Sequence, residues 1–312
     1  MTDSPPIDSA QAVAPPRSRV SGIRRPAMAV ASVVLILLVW ELVKVIVPTN
    51  GVSLGSVRVL PRTDDGALPH VWAVIGVLGD PEVNVAGARS VGAAILSSGT
   101  FTFGLAVTGF VLGAIVGLLL AIAMQRFVWV ERAILPYVVI SQTVPLIALA
   151  PLVAGWGGKI AVAGYAWQPW MSITVIASYL AFFPVAVGML RGLRSPKPAA
   201  LELMHCYAAG WWSTLVRVRF PASIPHLIPS LRLAAAASVV GAVVAEISTG
   251  TTGGIGRQII VFSQQATGNS SRLYAAVLGA AILGIIVTGL VGLLEYALGR
   301  YAGRLPSRRR TQ

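Results

Sequence analysis

Residues 191–233, RGLRSPKPAALELMHCYAAGWWSTLVRVRFPASIPHLIPSLRL, are polar, basic and broken by proline, and they lie between long apolar runs. Residues 199–215 predict a helix, with Pro198 in its first turn, where a missing N–H is not needed. Phe220 with Pro221, and Ile224 with Pro225, predict a stop to regular structure, because proline has no donor and restricts the residue before it. The expected form is a short helix, a proline-punctuated turn and a second amphipathic piece entering the next apolar run. A simple return to a membrane needs far fewer residues than this. A connection so long and so polar points to a docking surface.

Outward from it, the composition is that of a membrane protein. Of 312 residues 55% are hydrophobic and 11% charged, where soluble domains carry about a quarter. Mean hydropathy is +0.77. Apolar runs cover residues 27–47, 101–124, 133–156, 171–190, 231–247 and 273–298. Each is near the ~20 residues that cross ~30 Å of hydrocarbon as helix. The third is interrupted by Pro136, Pro145 and Pro151, and the fourth contains Pro184. The fifth is the shortest and can borrow a turn from either flank. In lipid every backbone polar group must be paired internally, which leaves helices or closed barrels. Barrel strands would alternate over about ten residues, and these runs do not. The expectation is therefore an all-α membrane protein of six spans. Gly109, Gly113 and Gly117 recur four residues apart, a spacing that lets helix backbones approach closely.

Lysine and arginine orient the spans. With the N-terminus inside, the inner segments hold Arg17, Arg19, Arg24, Arg25, Arg126, Arg132, Arg191, Arg194, Lys197, Arg217, Arg219, Arg232, Arg300, Arg304, Arg308, Arg309 and Arg310. The outer segments hold only Arg58, Arg62, Arg89, Lys159, Arg257 and Arg272, and Lys44 ends the first span. The positive-inside rule then puts both termini and the 191–233 stretch in the cytoplasm. The net charge of +13 is thus a topology signal. Nucleic-acid binding would need a basic face on a folded domain. Residues 1–26, rich in Pro, Ser and Ala, are expected to be disordered. The apolar run after them is too long for a secretory signal. Residues 27–298 form the membrane domain, with an external segment at 48–100 and a cytoplasmic loop at 191–230, and residues 299–312 form a basic tail.

Glu202, with Leu203 and Met204, is followed by Ala208 and then by Val218, Arg219, Phe220 and Pro221. This pattern resembles the cytoplasmic loop of the permease subunits of bacterial binding-protein-dependent ABC importers. Their signature is Glu-Ala-Ala, three residues, Gly, nine residues, then hydrophobic-x-Leu-Pro. The spacing from Glu202 to Pro221 fits without a gap. Leu203 and Met204 replace the alanines, Ala208 the glycine and Phe220 the leucine. Together with Tyr207, Ala209 and Trp212, the wording resembles the branch that imports sulfonates, taurine, nitrate and thiamine or flavin precursors. Leu60 and Pro61 after the first span, and residues 142–152 in the third, resemble the same branch.

The resemblance implies the type I permease fold, working as a homodimer or heterodimer in the bacterial inner membrane. Separate ATPase subunits would dock on the loop and an extracytoplasmic binding protein outside. Glu202, Tyr207, Ala208, Gly210, Trp211 and Pro221 become the coupling residues, with Tyr207, Ala208 and Trp211 sharing one side of a helix. The substrate class implied is a small organic anion or vitamin precursor.

No catalytic constellation is visible. The nearest approach to a phosphate-binding Gly-x-x-x-x-Gly-Lys-Ser/Thr is Gly158, Lys159 and Ile160, without the first glycine or the hydroxyl. The chain is not expected to be an enzyme or to hold a cofactor; ATP belongs to the partner subunit. Cys206 is the single cysteine, so no internal disulfide forms. His70, His205 and His226 lack metal-ligand spacing. Candidates for the substrate path are Gln142, Thr143 and Pro145, where the third span is expected to kink or break, and Glu246, an acid near the outer end of the fifth span. Glu246 can line the path or snorkel to the outer interface. Glu41 and Lys44, three residues apart, read as a local pair. Gly250, Gly253, Gly254 and Gly256 follow a membrane helix and lack the preceding strand of a phosphate cradle; the resemblance implies a tight re-entrant turn facing the binding protein. The alternative function is a secondary transporter with its own ion coupling, which predicts paired intramembrane acids or inverted repeats.

Overall fold

The computed structural model describes residues 24–54, 57–60, 62–83, 85, 87–162, 165–266 and 269–302. Of the segment expected to be disordered, residues 1–23 lie outside these, and the last three already belong to a helix. Most of the basic tail also lies outside.

The chain divides into two units, residues 1–63 and 64–312. In the first, helix α1, Arg24–Ile46, occupies the first apolar run. Its 23 residues rise about 35 Å at 1.5 Å each. A two-stranded antiparallel hairpin follows, β1 Val52–Leu54 and β2 Val57–Leu60. The Thr63 hydroxyl donates to the Val47 carbonyl at 2.8 Å, and the Lys44 ammonium reaches the Thr63 carbonyl at 3.4 Å.

The second unit opens with a short helix α2, Val71–Gly76, and a 3-10 turn to Gly79. Helix α3 is Val91–Arg126, and it starts ten residues before the second apolar run. Ser90 sets that start, since its side chain accepts from the Ala93 N–H at 3.2 Å. The third run is two helices, α4 Val128–Ser141 and α5 Leu146–Gly157, bent by 106°. Each is too short to span alone. A small hairpin, β3 Ala161–Val162 and β4 Tyr165–Ala166, precedes α6, Pro169–Leu193. The loop helices are α7, Pro198–Cys206, and α8, Trp211–Thr214. Five residues of π-helix lead into α9, Phe220–Thr249. Helices α10, Ile255–Gln264, and α11, Ser271–Ala302, complete the chain. The architecture is helical apart from the two hairpins. Among the described residues, four helical stretches are long and apolar enough to cross a membrane, and five if the bent pair counts as one.

Two expectations are corrected. The predicted helix 199–215 is interrupted after Cys206. The predicted stop at Pro221 and Pro225 does not occur, because residues 211–249 run on as helix. The π turn directly before Pro221 widens the backbone where a donor is missing. Pro225 and Pro229 follow at four-residue intervals inside α9. Each removes one hydrogen bond, and all three prolines lie on one stripe of the helix.

Helix α6 is the centre of the bundle, pressed by α3 on one side and α9 on the other. Small residues make both contacts possible. A Cβ on Gly113 would lie 2.7 Å from the Ala181 Cβ and from the Ser178 carbonyl oxygen, and one on Gly117 2.9 Å from the Val185 Cβ. On the other side a Cβ on Gly192 would meet the Ser223 Cβ at 2.7 Å, and one on Gly241 the Ala177 Cα at 3.0 Å. Ile173, Ile176, Ala177, Ala242 and Ala245 are buried in this seam. On α3, Leu112, Ile115, Val116 and Leu119 stand exposed, a stripe at helical spacing suited to lipid.

Candidate functional site

Three places hold the residues singled out in the sequence. The first is the α7–α8 stretch. Pro198 is the first residue of α7, and Glu202 lies on its exposed side. The helix ends in a left-handed residue. Ala208 has φ 50°, its N–H bonds the His205 carbonyl at 2.9 Å, and the Ala209 N–H bonds the Met204 carbonyl at 2.9 Å. This is the Schellman end, which favours glycine at that position. The glycine of the signature therefore has a backbone reason, and Ala208 carries the strain.

The break redistributes the expected contact face. Tyr207 and Trp212 are 77% and 70% exposed and Leu203 56%, whereas Trp211 is half-buried and packs on the C-terminal ends of α3 and α6. Gly210 is the N-cap of α8, and Pro221 lies in the first turn of α9. Tyr207, Ala208 and Trp211 thus do not share one helical side; Leu203, Tyr207, Trp212 and Val216 are each exposed. Leu203 and Trp212 stand in the quoted motif, but only the end of α7 shows that they face outward.

The stretch is fastened to the spans. The Arg126 guanidinium, at the end of α3, lies 5.1 Å from the Trp211 ring centre. The Arg219 Nη1 donates to the Leu193 carbonyl at 3.0 Å, at the end of α6. The Ser195 hydroxyl donates to the Ala222 carbonyl at 3.1 Å. Arg194 pairs with Glu131 of α4. A push on α7 and α8 thus has a covalent route into α9 and packed routes into α3 and α6.

The second place is the break between α4 and α5. Gln142 ends α4 and Pro145 begins α5, with Thr143 and Val144 exposed between them. The Thr143 hydroxyl turns back to the Ile140 carbonyl at 2.8 Å, and the Tyr179 hydroxyl of α6 donates to the Ser141 carbonyl. Pro145 supplies the break because it lacks a donor and holds Val144 out of the helical region.

The third place is the C-terminal end of α9. Glu246 is completely buried, so it does not snorkel to an interface. The Thr102 hydroxyl of α3 lies 2.8 and 3.0 Å from its two oxygens, and the Gly256 N–H donates to it at 2.8 Å. The Ile255 N–H donates to the Thr102 hydroxyl at 2.9 Å. The glycine stretch is the turn between α9 and α10, with Gly250 at φ 65° and Gly253 at φ 103°. A Cβ on Gly254 would overlap the Glu246 carboxylate. Thr102 does not stand out in the sequence, because Ser97, Ser98 and Thr100 precede it and nothing marks it among these hydroxyls.

The chain was compared with known proteins. Residues 109–301 match the family described as binding-protein-dependent transport system inner membrane component. The formylaminopyrimidine transport permease protein ThiX of Halalkalibacterium halodurans is 35% identical over 138 residues, 44% of this chain and 52% of that protein. The riboflavin transport system permease protein RibX of Chloroflexus aurantiacus is 28% identical over 55% of this chain and 60% of that protein. The putative aliphatic sulfonates transport permease protein SsuC of Bacillus subtilis is 28% identical over 62% of this chain and 66% of that protein. The chain thus spans about half to two thirds of the length of these relatives. Among solved structures, "Crystal structure of an amino acid ABC transporter with histidines" is similar in fold, with a TM-score of 0.52 and 15% identity, covering 66% of this chain and 94% of that one. The family match covers more than half of the chain and includes the α7–α9 stretch, so the chain belongs to the inner membrane components of binding-protein-dependent transport systems, the multi-pass permease subunits of ABC transporters.

Proposed function

We propose that the chain is the translocation subunit of an ABC importer, coupled through residues 191–233 to a separate ATPase. The observation that carries this reading is the exposure of three large apolar side chains, Leu203, Tyr207 and Trp212. These side chains are exposed, while Trp211 and Arg219 of the same stretch are tied to α3 and α6. Large exposed aromatic residues on a rigid support suit a groove in a partner. Glu202 stands beside them and suits a basic residue there. ATP hydrolysis belongs to that partner, since this chain has no phosphate-binding loop sequence.

In this reading α3, the α4–α5 pair, α6, α9 and α11 are five spans, α1, which the length-and-composition count leaves out, is the sixth on the strength of its apolar sequence, and both termini are in the cytoplasm. Two permease subunits, alike or different, enclose the path, and a binding protein docks outside. Gln142, Thr143 and Pro145 supply irregular backbone to the path, which is where a broken helix is tolerated in a membrane. Closure of the ATPase pair moves α7 and α8, and α9 carries the movement inward. The relatives' named cargoes, a formylaminopyrimidine, riboflavin and aliphatic sulfonates, support a small organic anion or vitamin precursor as substrate.

The test is co-purification with the partner ATPase subunit. Truncating a central aromatic anchor costs about 2 kcal/mol or more, roughly thirtyfold in affinity. Tyr207→Ala with Trp212→Ala should release the ATPase while the permease still inserts, and Glu202→Arg should do so by like-charge repulsion. Retention of the ATPase and of uptake in all of these variants would remove the docking role from this surface.

A further inference from the structure

The outer end of α9 carries a buried polar junction that substrate binding does not explain. Glu246 is 0% exposed, and no Lys or Arg among the described residues forms an ion pair with it. Its bonds join three elements: Thr102 from α3, Gly256 from α10 and its own helix α9. The Thr102 oxygen also receives the Ile255 N–H and lies 3.1 Å from the Ser98 carbonyl oxygen. Ile255 and Gly256 are the first residues of α10, whose N–H groups have no partner within their own helix. Glu246 and Thr102 are therefore the caps of α10, supplied from outside it.

The space is built around the carboxylate. A Cβ on Gly254 would overlap it, and one on Gly256 would lie 2.8 Å from the Glu246 Cβ and 2.5 Å from the Val243 carbonyl. The turn between has two left-handed glycines, and Gly253 packs on the Phe101 ring, next to Thr102 in sequence. By the charge asymmetry of the loops this turn lies on the outer side, the side from which a binding protein must approach.

We infer that Glu246 and Thr102 form a latch that fixes the outer turn 250–254 and the start of α10 to α3 and α9, so that docking of the binding protein on this turn moves these helices together. The two residues are positioning residues, and neither needs to touch the substrate. The inference rests on the importer reading. The latch works through geometry and not through charge. An amide in place of the Glu246 carboxyl can accept from the Gly256 N–H and donate to the Thr102 oxygen, which then donates to Ser98.

The test uses the full complex of permease, ATPase and binding protein in lipid nanodiscs, with ATPase activity read with and without the liganded binding protein. Thr102→Val keeps the shape but leaves the Ile255 N–H unpaired and the carboxylate with the Gly256 N–H alone. It should lower stimulation by the binding protein about tenfold, the scale set by leaving a buried polar group unsatisfied. Basal ATPase activity and assembly should not change, and Thr102→Ser should restore stimulation. Glu246→Gln should keep stimulation, and Glu246→Met should lose it. A second readout is hydrogen exchange at the Ile255 and Gly256 amides, which should speed up in Thr102→Val and Glu246→Met but not in Glu246→Gln. Unchanged stimulation and exchange in Thr102→Val would overturn the latch, as would a parallel loss of basal activity and assembly. If the unmodified complex shows no stimulation at all, the importer reading fails, and with it the relay; the exchange readout then judges the latch as a structural tie alone.

Discussion

Ala208 shows how one backbone angle explains a residue preference that composition does not. At φ 50° it sits where a Cβ costs free energy and glycine does not. Ala208→Gly should therefore stabilise the α7 end by about 1 kcal/mol, within the range of the left-handed penalty, seen as slower hydrogen exchange at Tyr207 and Ala209. Ala208→Val should do the opposite, because a branched Cβ is tolerated even less at positive φ. A second residue-scale expectation concerns Glu82. Its carboxyl is held below the ordinary value of 4.5, chiefly by the hydrogen bond from Arg89 and further by Gln258, against a partial opposition from burial. The Arg89 Nε lies 2.5 Å from it, the Gln258 Nε2 2.6 Å, and Arg272 reaches its backbone carbonyl at 3.3 Å. A carboxyl with a depressed folded value adds stability above its unfolded value and loses it as pH falls through the folded one. Exchange in residues 80–90 should thus be steady from pH 7 to 5, apart from the intrinsic rate, and rise only below about 4.5. Glu82→Gln should remove that acid-side rise.

At the scale of elements, the glycines of α3 set the distance to α6. Gly113→Leu places a side chain where even a Cβ is 2.7 Å from Ala181. Overpacking of this kind costs about 1–3 kcal/mol, so the melting temperature in detergent should fall and much of the protein should fail to insert stably. At Gly289 on α11 an added Cβ meets nothing within 4 Å in the single chain, so Gly289→Leu should leave the melting temperature nearly unchanged, which separates packing from composition. The glycine spacing makes a close contact of α3 legible in the amino-acid sequence alone, and length and hydropathy do the same for the existence of α6, α9 and α11. The break at Pro145 is legible for a similar reason, since proline acts within one or two residues. The course of α9 through Pro221 and Pro225 is not. Whether a proline ends a helix depends on whether its neighbours re-pair the backbone, and here the π turn and the packing of Ser223 on Gly192 decide it. The break after Cys206 is hidden because Ala208 is not a glycine. The partners of Glu246 are hidden because Thr102 is 144 residues away, and a single sequence contains no pairing information at that distance.

At the scale of the whole molecule, the importer reading puts α7 and α8 on the cytoplasmic side and against an ATPase. Cys206 is the single cysteine of the chain and is exposed at the end of α7, which makes it a natural probe. A membrane-impermeant maleimide should label it in inverted vesicles and not in intact spheroplasts, as the distribution of Lys and Arg requires; labelling of intact spheroplasts would reverse the orientation. The most direct measurement of the coupling claim uses the same thiol. With a short photoactivatable maleimide on Cys206 in the assembled complex, illumination should join the permease to the ATPase subunit, and the yield should fall with Trp212→Ala. Cross-linking to the binding protein instead, or none while the ATPase remains bound, would contradict the assignment of this stretch as the coupling element.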